Sequence, residues 1–457
     1  MKKNLLCLLM LAQLAQGSAA DSTPPPNFVV ILGEGAGWTS TSIQMDDRNP
    51  ESKGRGIRTP NLERLAAEGM RFSDAYAASP RCTPSRAALF TGRSPAALHM
   101  TFIGDGRRHD DQAVSTKLIP PRALLELPEE SITIAALLKP RGYATAHFGK
   151  WHVGRLSPVR HGFDESDGPT GNGGPDNVAN PNPKQALAMT AHGISFMERQ
   201  VKSSRPFYLQ MSHYPSQDEK RGGGKRRTPK DSREEMNTVD KTVGGVLDAI
   251  QLLGLERTTY VLYTTDHGTP GHNFPLTGGK GTVWEGGLRV PFIIQGPGIK
   301  AGACSHVRAS SLDLLPTFAE LAGITQNLPA GLEGGSLASV LHDEGVGTVQ
   351  RSRQPFVVLF PHYDKDAQGP ASAILLGDYK LIRTYETGSV RLYDLTRDPK
   401  EHHDLAGQLQ DTVEEMNGQL SAYLSAVNAQ MPKPNPAYNP GNQPSDQGRR
   451  SGRNRDD

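Results

Sequence analysis

The chain alternates mainly apolar runs of strand length with amphipathic stretches of helix length. Runs without a polar face are typical of strands covered on both sides in a parallel sheet. Four runs have this character: 27–33, 143–148, 206–211 and 259–264. Apolar residues recur at helical spacing in 60–66, 131–138 and 236–253. This alternation predicts an α/β fold with a central, mostly parallel sheet flanked by helices.

The pattern changes near residue 354, where short alternating segments are separated by turn residues. The predicted strands are 355–361, 373–376, 379–384 and 390–393, and a helix is expected over 405–427. We therefore expect a main domain over 21–350 and a smaller C-terminal α+β subdomain, built on an antiparallel sheet, over 351–430. Residues 431–457 are rich in Pro, Asn, Gly and Arg and are expected to be disordered.

Residues 1–20 have the pattern of a secretory signal peptide. Two lysines precede an apolar run, and small residues stand before Asp21. The run is too short to cross a bilayer, so we expect a periplasmic or secreted protein with no membrane span. With 50 basic and 48 acidic residues the net charge is only +2, which gives no general attraction to nucleic acid.

Two cysteines remain once the signal peptide, which contains Cys7, is set aside. Cys82 and Cys304 could form one disulfide in an exported protein. Alternatively, Cys82 is used for chemistry, which would exclude the disulfide and leave Cys304 as a lone thiol. Cys82 begins the segment Cys-Thr-Pro-Ser-Arg, which leads into an Ala-rich stretch that continues to Gly92. Proline favours the first turn of a helix, so Cys82 is expected at a helix N-terminus, where anions bind.

Polar side chains follow several predicted strands. The first strand ends at Glu34, the third is followed by His213, and the fourth by Asp266 and His267. Ligand residues gather at the carboxyl ends of strands in α/β sheets, and carboxylates with imidazole can hold a divalent cation. The second strand is followed by a lysine and a histidine two positions apart, which on an extended segment face the same side.

These segments resemble the formylglycine-dependent (type I, Cys-type) sulfatases of the alkaline-phosphatase-like superfamily. The resemblance covers about 26–406 and rests on motif blocks in the family's order. They are Cys-x-Pro-Ser-Arg with Thr-Gly-Arg over 82–93, Gly-Lys-Trp-His-x-Gly over 149–154, His213, Asp-His-Gly over 266–268, and Lys-x-x-x-x-Glu-Gly-Gly-x-Arg-Val-Pro over 280–291. The resemblance implies an alkaline-phosphatase-like fold.

The resemblance also implies a reaction. Cys82 would be oxidised to formylglycine (3-oxoalanine), whose hydrate attacks the sulfur of a sulfate ester. Arg86, Lys150 and Lys280 would hold the sulfuryl oxygens together with a metal ion. His213, helped by Lys280, would assist the leaving group. His152 would take a proton from the second hydroxyl, so that the aldehyde re-forms and sulfate leaves.

The implied metal is one calcium ion, with magnesium as an alternative, and its implied ligands are Glu34, Cys82, Asp266 and His267. In the family the first strand usually ends in Asp-Asp, whereas this chain has Glu34-Gly35. The lost carboxylate predicts a weaker, relocated or different metal. Asp46 and Asp47, in the following loop, could compensate or could form only a solvated turn.

The substrate is expected to be an exported sulfated molecule of the polysaccharide or oligosaccharide class. Export and the basic run 220–227 favour this class, although such a run is commonly only a solvated loop. The implied partner is a formylglycine-generating or sulfatase-maturating enzyme. Two alternatives stay open: a phosphonate or phosphate monoester hydrolase of the same fold, and a non-catalytic protein that binds sulfated glycans.

Overall fold

The computed structural model describes residues 24–104, 116–173, 182–214, 229–270, 273–364 and 369–440. Its strands are β1 (Asn27–Gly33), β2 (Met70–Phe72), β3 (Ala75–Tyr76), β4 (Leu118–Ile119), β5 (Ala144–Gly149), β6 (Glu165–Ser166), β7 (Phe207–Ser212), β8 (Thr259–Thr265), β9 (Phe292–Gln295), β10 (Ala303–Ser305), β11 (Ala309–Ser310), β12 (Phe356–Phe360), β13 (Ala371–Leu376), β14 (Tyr379–Thr384), β15 (Val390–Asp394) and β16 (Lys433–Pro434). Its helices are α1 (Pro60–Glu68), α2 (Cys82–Thr91), α3 (Pro95–Leu98), α4 (Ile134–Leu138), α5 (Asn182–Lys202), α6 (Pro229–Leu252), α7 (Glu285–Leu288), α8 (Leu314–Leu321), α9 (Ala338–His342) and α10 (Gln410–Ala426).

A large mixed sheet forms the centre of the molecule. Among the described residues it has eight strands in the order β10-β2-β9-β8-β1-β7-β5-β6. The strands β8, β1, β7, β5 and β6 run parallel, and β9 is antiparallel to both of its neighbours. The predicted α/β fold with a mostly parallel central sheet is confirmed.

The apolar runs are continuous because helices cover both faces of this sheet. Alternate residues of β1 point to opposite sides, so Phe28, Val30 and Leu32 join one core, and Val29 and Ile31 join the other. Helices α2, α4 and α8 contribute to the first core, and α1, α5 and α6 to the second. Each face of a strand therefore needs apolar side chains.

The C-terminal sheet is separate and wholly antiparallel, in the order β12-β13-β14-β15. One face packs on α10 through Leu420 and Leu424, and the other packs on the main domain near Trp284. The predicted antiparallel sheet is confirmed. The domain boundaries proposed from the sequence remain predictions.

Two segments expected to lack regular structure have some. Lys433–Pro434 forms β16 and pairs with β4, and Asn435 donates hydrogen bonds to the carbonyls of Thr116 and Lys117. The expectation of disorder is therefore wrong for this part of the tail, because the segment is fixed by a distant edge strand. Similarly, the stretch 162–183 is rich in Gly, Pro and Asn and has the sequence pattern of a loop, yet its residues 165–166 form β6 and extend the central sheet.

Several sequence-based expectations fall outside the described residues. They concern the signal peptide at 1–20, the basic run 220–227 and the tail beyond residue 440. Within the described parts of the chain, every helix is too short or too polar to serve as a membrane span.

A carboxylate from another helix caps α1. Thr59 occupies the N-cap position but makes no side-chain cap there. Instead, Asp240 of α6 accepts hydrogen bonds from the backbone N–H groups of Asn61 and Leu62, at 3.0 and 2.8 Å. Because those first N–H groups have no partner within a helix, Asp240 supplies the missing cap and ties α6 to α1.

A buried ion cluster joins the main domain to the C-terminal sheet. The Lys380 ammonium of β14 lies 2.9 Å from Glu285 Oε1 and 2.8 Å from Glu401 Oε1. Tyr76 donates a hydrogen bond to Glu285, and the Glu285 backbone N–H donates one to Glu401. All three charged side chains are fully buried, so each depends on the others for its solvation.

Replacing Lys380 with Met should destabilise the protein strongly, because it leaves Glu401 buried without its cation and leaves Glu285 only the longer contact with Arg289, at 3.7 Å. We expect the free energy of unfolding, measured by denaturant titration, to fall by about 3–5 kcal/mol. The control is Lys300→Met, which removes a pair with Glu344 whose side chains are 55% and 65% exposed. This control should cost no more than about 1 kcal/mol. Equal losses in the free energy of unfolding of the two variants would contradict the stabilising role given to Lys380 in the buried cluster.

Candidate active site

The parallel strands bring the predicted site residues to one edge of the sheet. Glu34 follows β1, Lys150 follows β5, His213 follows β7, and Asp266 follows β8. Because these four strands are neighbours and run in the same direction, the residues after them lie together at their carboxyl ends. Cys82, at the start of α2, is also brought to this edge.

Cys82 is the first residue of α2 and is 1% exposed. Arg81 precedes it in extended conformation, whereas the residues around Pro84 already belong to the first helical turn. The Cys82 thiol lies 3.2 Å from Glu34 Oε1 and 3.1 Å from His267 Nε2. Cys82 and Cys304 are both free, so the disulfide considered from the sequence is wrong.

The charges around Cys82 favour an anion at this position. Burial and the Glu34 carboxylate raise the pKa of the thiol, but Lys150, Lys280 and His267 lower it more strongly. The resulting pKa lies well below the usual value for cysteine. A negatively charged group is therefore stabilised at the N-terminus of α2.

Arg86 crosses the site and is fully buried. It donates to Glu34 at 2.9 Å, to Asp266 at 3.1 Å and to the Lys150 carbonyl oxygen at 2.6 Å. Lys150 and Lys280 also face Glu34, with ammonium-to-carboxylate distances of 3.0 and 3.7 Å. Burial raises the pKa of Glu34, yet these cations hold it well below its ordinary value, so Glu34 is ionised.

Four side chains could hold a metal ion. The ligand atoms of Glu34, Cys82, Asp266 and His267 all lie within 4.8 Å of one another. His267 Nδ1 lies 2.9 Å from the Gly268 carbonyl, which can only accept, so Nδ1 carries a hydrogen and Nε2 is the ring nitrogen that faces the cluster. Burial lowers the pKa of His267, but Asp266 and Cys82 raise it above its usual value, so a metal ion bound here would take the place of a proton on Nε2. Carboxylate oxygens and one imidazole nitrogen suit a divalent cation.

The two carboxylates provide a further sign that this cluster accommodates a cation. Burial and the Glu34 charge raise the pKa of Asp266 to about 6, although His267 and Arg86 counteract them. Like charges in a buried space oppose each other unless a cation is placed between them. The residues present therefore fit a divalent metal.

Gly35 stands where the family usually has a second aspartate. Its φ is +55°, and a Cβ added there would lie 3.1 Å from His267 Cε1. Its backbone N–H donates to Asp266 Oδ1 at 3.0 Å. A side chain at this position would therefore be strained and would crowd a candidate ligand.

Asp46 and Asp47 do not replace the missing carboxylate. Asp46 accepts hydrogen bonds from the backbone and guanidinium of Arg48. Asp47 lies beside Cys304 and His306 and does not belong to the Glu34 cluster. Of the two alternatives considered for these aspartates, compensation for the missing carboxylate is therefore wrong.

Of the two predicted catalytic histidines, His213 is buried and His152 is half-buried, and the pKa of each is lowered. Burial, with a smaller effect of Arg86, lowers the pKa of His213 to about 4. Burial also lowers the pKa of His152, and a hydrogen bond to Cys82 partly offsets it. Neither His213 Nε2 nor His152 Nδ1 has a hydrogen-bond partner among the described residues. Both rings are therefore neutral near pH 7 and keep a free nitrogen.

The backbone between β5 and His152 differs from the expectation. The sequence predicts an extended segment that points Lys150 and His152 to one side. Instead, Gly149 and His152 have φ values of +93° and +56°. Lys150 still reaches Glu34, and His152 still reaches Cys82, because two left-handed residues redirect the chain.

An additional charged pair at the site has no signal in the sequence. Arg81, next to Cys82, forms a bidentate ion pair with Asp364, which follows β12 in the C-terminal subdomain. The two residues are 283 positions apart, so no local sequence pattern predicts the contact. The positive charge of Arg81 also acts on Lys280, which places it beside the predicted cations.

Family comparison gives matches over most of the chain. The sulfatase family model matches residues 26–324, and the model of the N-sulphoglucosamine sulphohydrolase C-terminal region matches residues 279–430. The N-acetylgalactosamine-6-sulfatase of Canis lupus familiaris is 32% identical over 362 residues, covering 69% of this chain and 66% of the relative. Arylsulfatase A of Homo sapiens is 31% identical over 471 residues, covering 87% of this chain and 86% of the relative.

Solved structures agree on the fold. The structure of Ps i-CgsB in complex with k-i-k-neocarrahexaose has a TM-score of 0.71 at 23% identity, and covers 89% of this chain and 94% of its own. The PsFucS1 sulfatase from Pseudoalteromonas sp. has a TM-score of 0.67 at 22% identity, covering 89% and 91%. The family predicted from the motif blocks is confirmed: the chain belongs to the sulfatases, a family of sulfuric ester hydrolases with the alkaline-phosphatase-like fold.

Proposed function

We propose that this protein is a sulfatase that removes sulfate from an exported polysaccharide or oligosaccharide. The observation that carries the proposal is the position of Cys82, buried at a helix N-terminus among Arg86, Lys150 and Lys280. Glycan as the substrate class is supported by two structural neighbours, one bound to a neocarrahexaose and one to D-glucosamine-2-N,6-O-disulfate. The predicted secretory signal agrees with an extracytoplasmic substrate.

We infer that Cys82 is converted to formylglycine by a sulfatase-maturating enzyme. Formylglycine supplies, as its hydrate, a hydroxyl nucleophile for sulfur and a second hydroxyl through which sulfate is released. A thiol lacks that second hydroxyl, so an unmodified Cys82 could not complete the cycle. The surrounding cations suit this chemistry because they stabilise negative charge at residue 82.

Glu34, Asp266 and His267 would hold a divalent cation next to residue 82. Calcium is the expected ion, and magnesium is the alternative. The ion would neutralise charge on the sulfuryl oxygens. With Gly35 in place of a carboxylate, the site offers fewer hard oxygens than calcium prefers, so its calcium affinity should be lower than that of an Asp-Asp site.

Three buried or nearly buried cations would bind the sulfuryl group. Arg86 and Lys150 are fixed by their contacts with Glu34 and so require little reorganisation when an anion binds. Lys280 is the more open of the lysines, with 14% of its side chain exposed. This exposure supports a role for Lys280 on the substrate side, where it would hold the oxygen of the breaking ester bond.

The two histidines would move protons. His213 holds an unpartnered Nε2 and would hydrogen-bond to the leaving oxygen. Its low pKa arises from burial and Arg86, and a bound anionic ester would raise it toward the working pH. His152, which is neutral and within hydrogen-bond reach of residue 82, would accept a proton from that residue.

Replacing Cys82 with Ala should leave a folded protein that does not turn over. We expect kcat/KM for a sulfated oligosaccharide to fall by about 10⁴-fold or more. Wild-type protein expressed without a maturating enzyme should behave in the same way, and peptide mass should then show an unmodified cysteine. Retained turnover in either preparation would exclude formylglycine as the nucleophile.

The phosphate or phosphonate hydrolase alternative is tested in the same assay. Matured enzyme should hydrolyse a sulfated chromogenic ester faster than its phosphorylated analogue. The opposite preference would favour the alternative, and no turnover of either ester by fully matured, metal-loaded protein would favour a glycan-binding role.

His213→Ala should affect substrates according to their leaving group. A sugar hydroxyl is a poor leaving group, so losing its proton donor should lower kcat by about 10²–10⁴-fold. The nitrophenolate of 4-nitrophenyl sulfate leaves without full protonation, so its kcat should fall much less. The control His192→Ala changes a half-exposed ring and should affect neither substrate. Equal losses on both substrates would contradict the role given to His213.

Glu34→Gln should weaken metal binding because it removes a charged ligand. Removing a second-sphere partner of a ligand costs about 10–100-fold in metal affinity, so the loss of a ligand should be at least that large. Calcium titration calorimetry on the matured protein measures it. The control Glu333→Gln changes a carboxylate that binds Ser94 and Tyr423, and it should keep wild-type affinity. Unchanged affinity in Glu34→Gln would remove Glu34 from the ligand set.

A further inference from the structure

A second group of metal-ligand side chains lies outside the proposed active site. The ligand atoms of Asp47, Cys304 and His306 all lie within 4.8 Å of one another. They come from two distant parts of the chain: Asp47 from the loop after β1, and the other two from β10 and the residue that follows it. The fold therefore brings one oxygen, one sulfur and one nitrogen donor to a common point.

The orientation of His306 is fixed by a chain of hydrogen bonds. Ser73 Oγ donates to Asp74 Oδ2 at 2.8 Å, and its only proton is used there because a carboxylate accepts. His306 Nδ1 lies 2.9 Å from the same Ser73 oxygen, so Nδ1 must be the donor of that contact. Such a partner behind a histidine is typical of metal ligands, because it fixes the tautomer.

This tautomer leaves two acceptors facing each other. His306 Nε2 lies 3.1 Å from Asp47 Oδ1, and both atoms present lone pairs when Nδ1 carries the hydrogen. A cation between them, either a proton or a metal ion, removes the repulsion. A proton would serve only these two atoms, whereas a metal ion would also engage the nearby Cys304 sulfur.

The spacing and the surroundings of the donors favour a metal ion. Zinc bonds of about 2.0–2.2 Å to nitrogen and oxygen place tetrahedral ligand atoms about 3.3 Å apart. This is close to the 3.1 Å between His306 Nε2 and Asp47 Oδ1. The backbone N–H of Asp47 hydrogen-bonds to Cys304. Gln44 donates to the carbonyls of Asp46 and Asp47, which fixes the loop that carries the oxygen ligand.

We propose that Asp47, Cys304 and His306 bind a zinc-class transition metal ion at the edge of the central sheet. The thiolate, imidazole and carboxylate donors match zinc, whereas calcium requires oxygen ligands. Binding releases the thiol proton of Cys304 to solvent, and water completes the coordination. The ion clamps the loop that begins at Glu34 onto β10, and it shields the Cys304 thiol.

Cobalt titration of protein carrying Cys82→Ala tests this site through the sulfur of Cys304, because the Cys82 thiol of the active-site cluster could otherwise give the same band. After dialysis against a chelator, added cobalt chloride should give a thiolate-to-cobalt charge-transfer band, and zinc chloride should displace it. Cys304→Ser and His306→Gln should each abolish the band or weaken binding by at least about tenfold. The control is His403→Gln, which alters an exposed histidine 3.6 Å from Asp398 and should leave the titration unchanged.

A second measurement needs no substitution, and so does not depend on the variants folding. Zinc chloride should slow alkylation of Cys304 in the wild-type protein, as followed by the mass of the peptide that contains it. An alkylation rate independent of zinc would overturn the proposal. A cobalt band that persists when Cys304→Ser is added to folded Cys82→Ala protein, or that is absent from Cys82→Ala itself, would overturn it as well and would leave a protonated His306–Asp47 ion pair.

Discussion

The guanidinium of Arg86 is the interaction on which the active site depends. It is fully buried, and it joins α2 to the residues after three strands: Glu34 after β1, Asp266 after β8 and the carbonyl of Lys150 after β5. Removing it would leave two buried carboxylates facing each other with less compensation, which is a costly arrangement in a protein interior. The position of Cys82, one turn earlier on the same helix, follows from this anchor.

The charges explain how a nearly neutral protein can attract an anion. Its net charge is only +2, so attraction to an anionic ester must arise locally. Arg86, Lys150 and Lys280 converge on Glu34, and all three act on Cys82 or its immediate neighbours. The carboxylates hold these cations in place and provide oxygens for a divalent ion. One buried network thus prepares positions for both an anion and a metal.

The sequence predicted features that have a local pattern. Apolar runs identified the central strands, and polar residues immediately after them identified the edge where Glu34, His213 and Asp266 meet. Proline and the Ala-rich stretch placed Cys82 at a helix start. The chemical roles of these residues came from the family resemblance, since spacing alone does not distinguish a nucleophile from a buried thiol.

Contacts between distant charged residues could not be predicted in this way. Lys380 with its two glutamates, Arg81 with Asp364, and Asp240 at the start of α1 each depend on how separate elements pack. The pairing of β16 with β4, in a proline-rich tail, could not be predicted for the same reason. The turn at His152 escaped prediction because a left-handed non-glycine residue has no sequence signature here.

The most direct test of the account is a crystal structure of the active protein with a sulfate ester analogue bound. The account predicts an oxidised side chain at residue 82, with the sulfuryl group beside it and in contact with Lys150 and Lys280. An unmodified Cys82 thiol in a crystal of demonstrably active protein, or an analogue bound away from that residue, would contradict it.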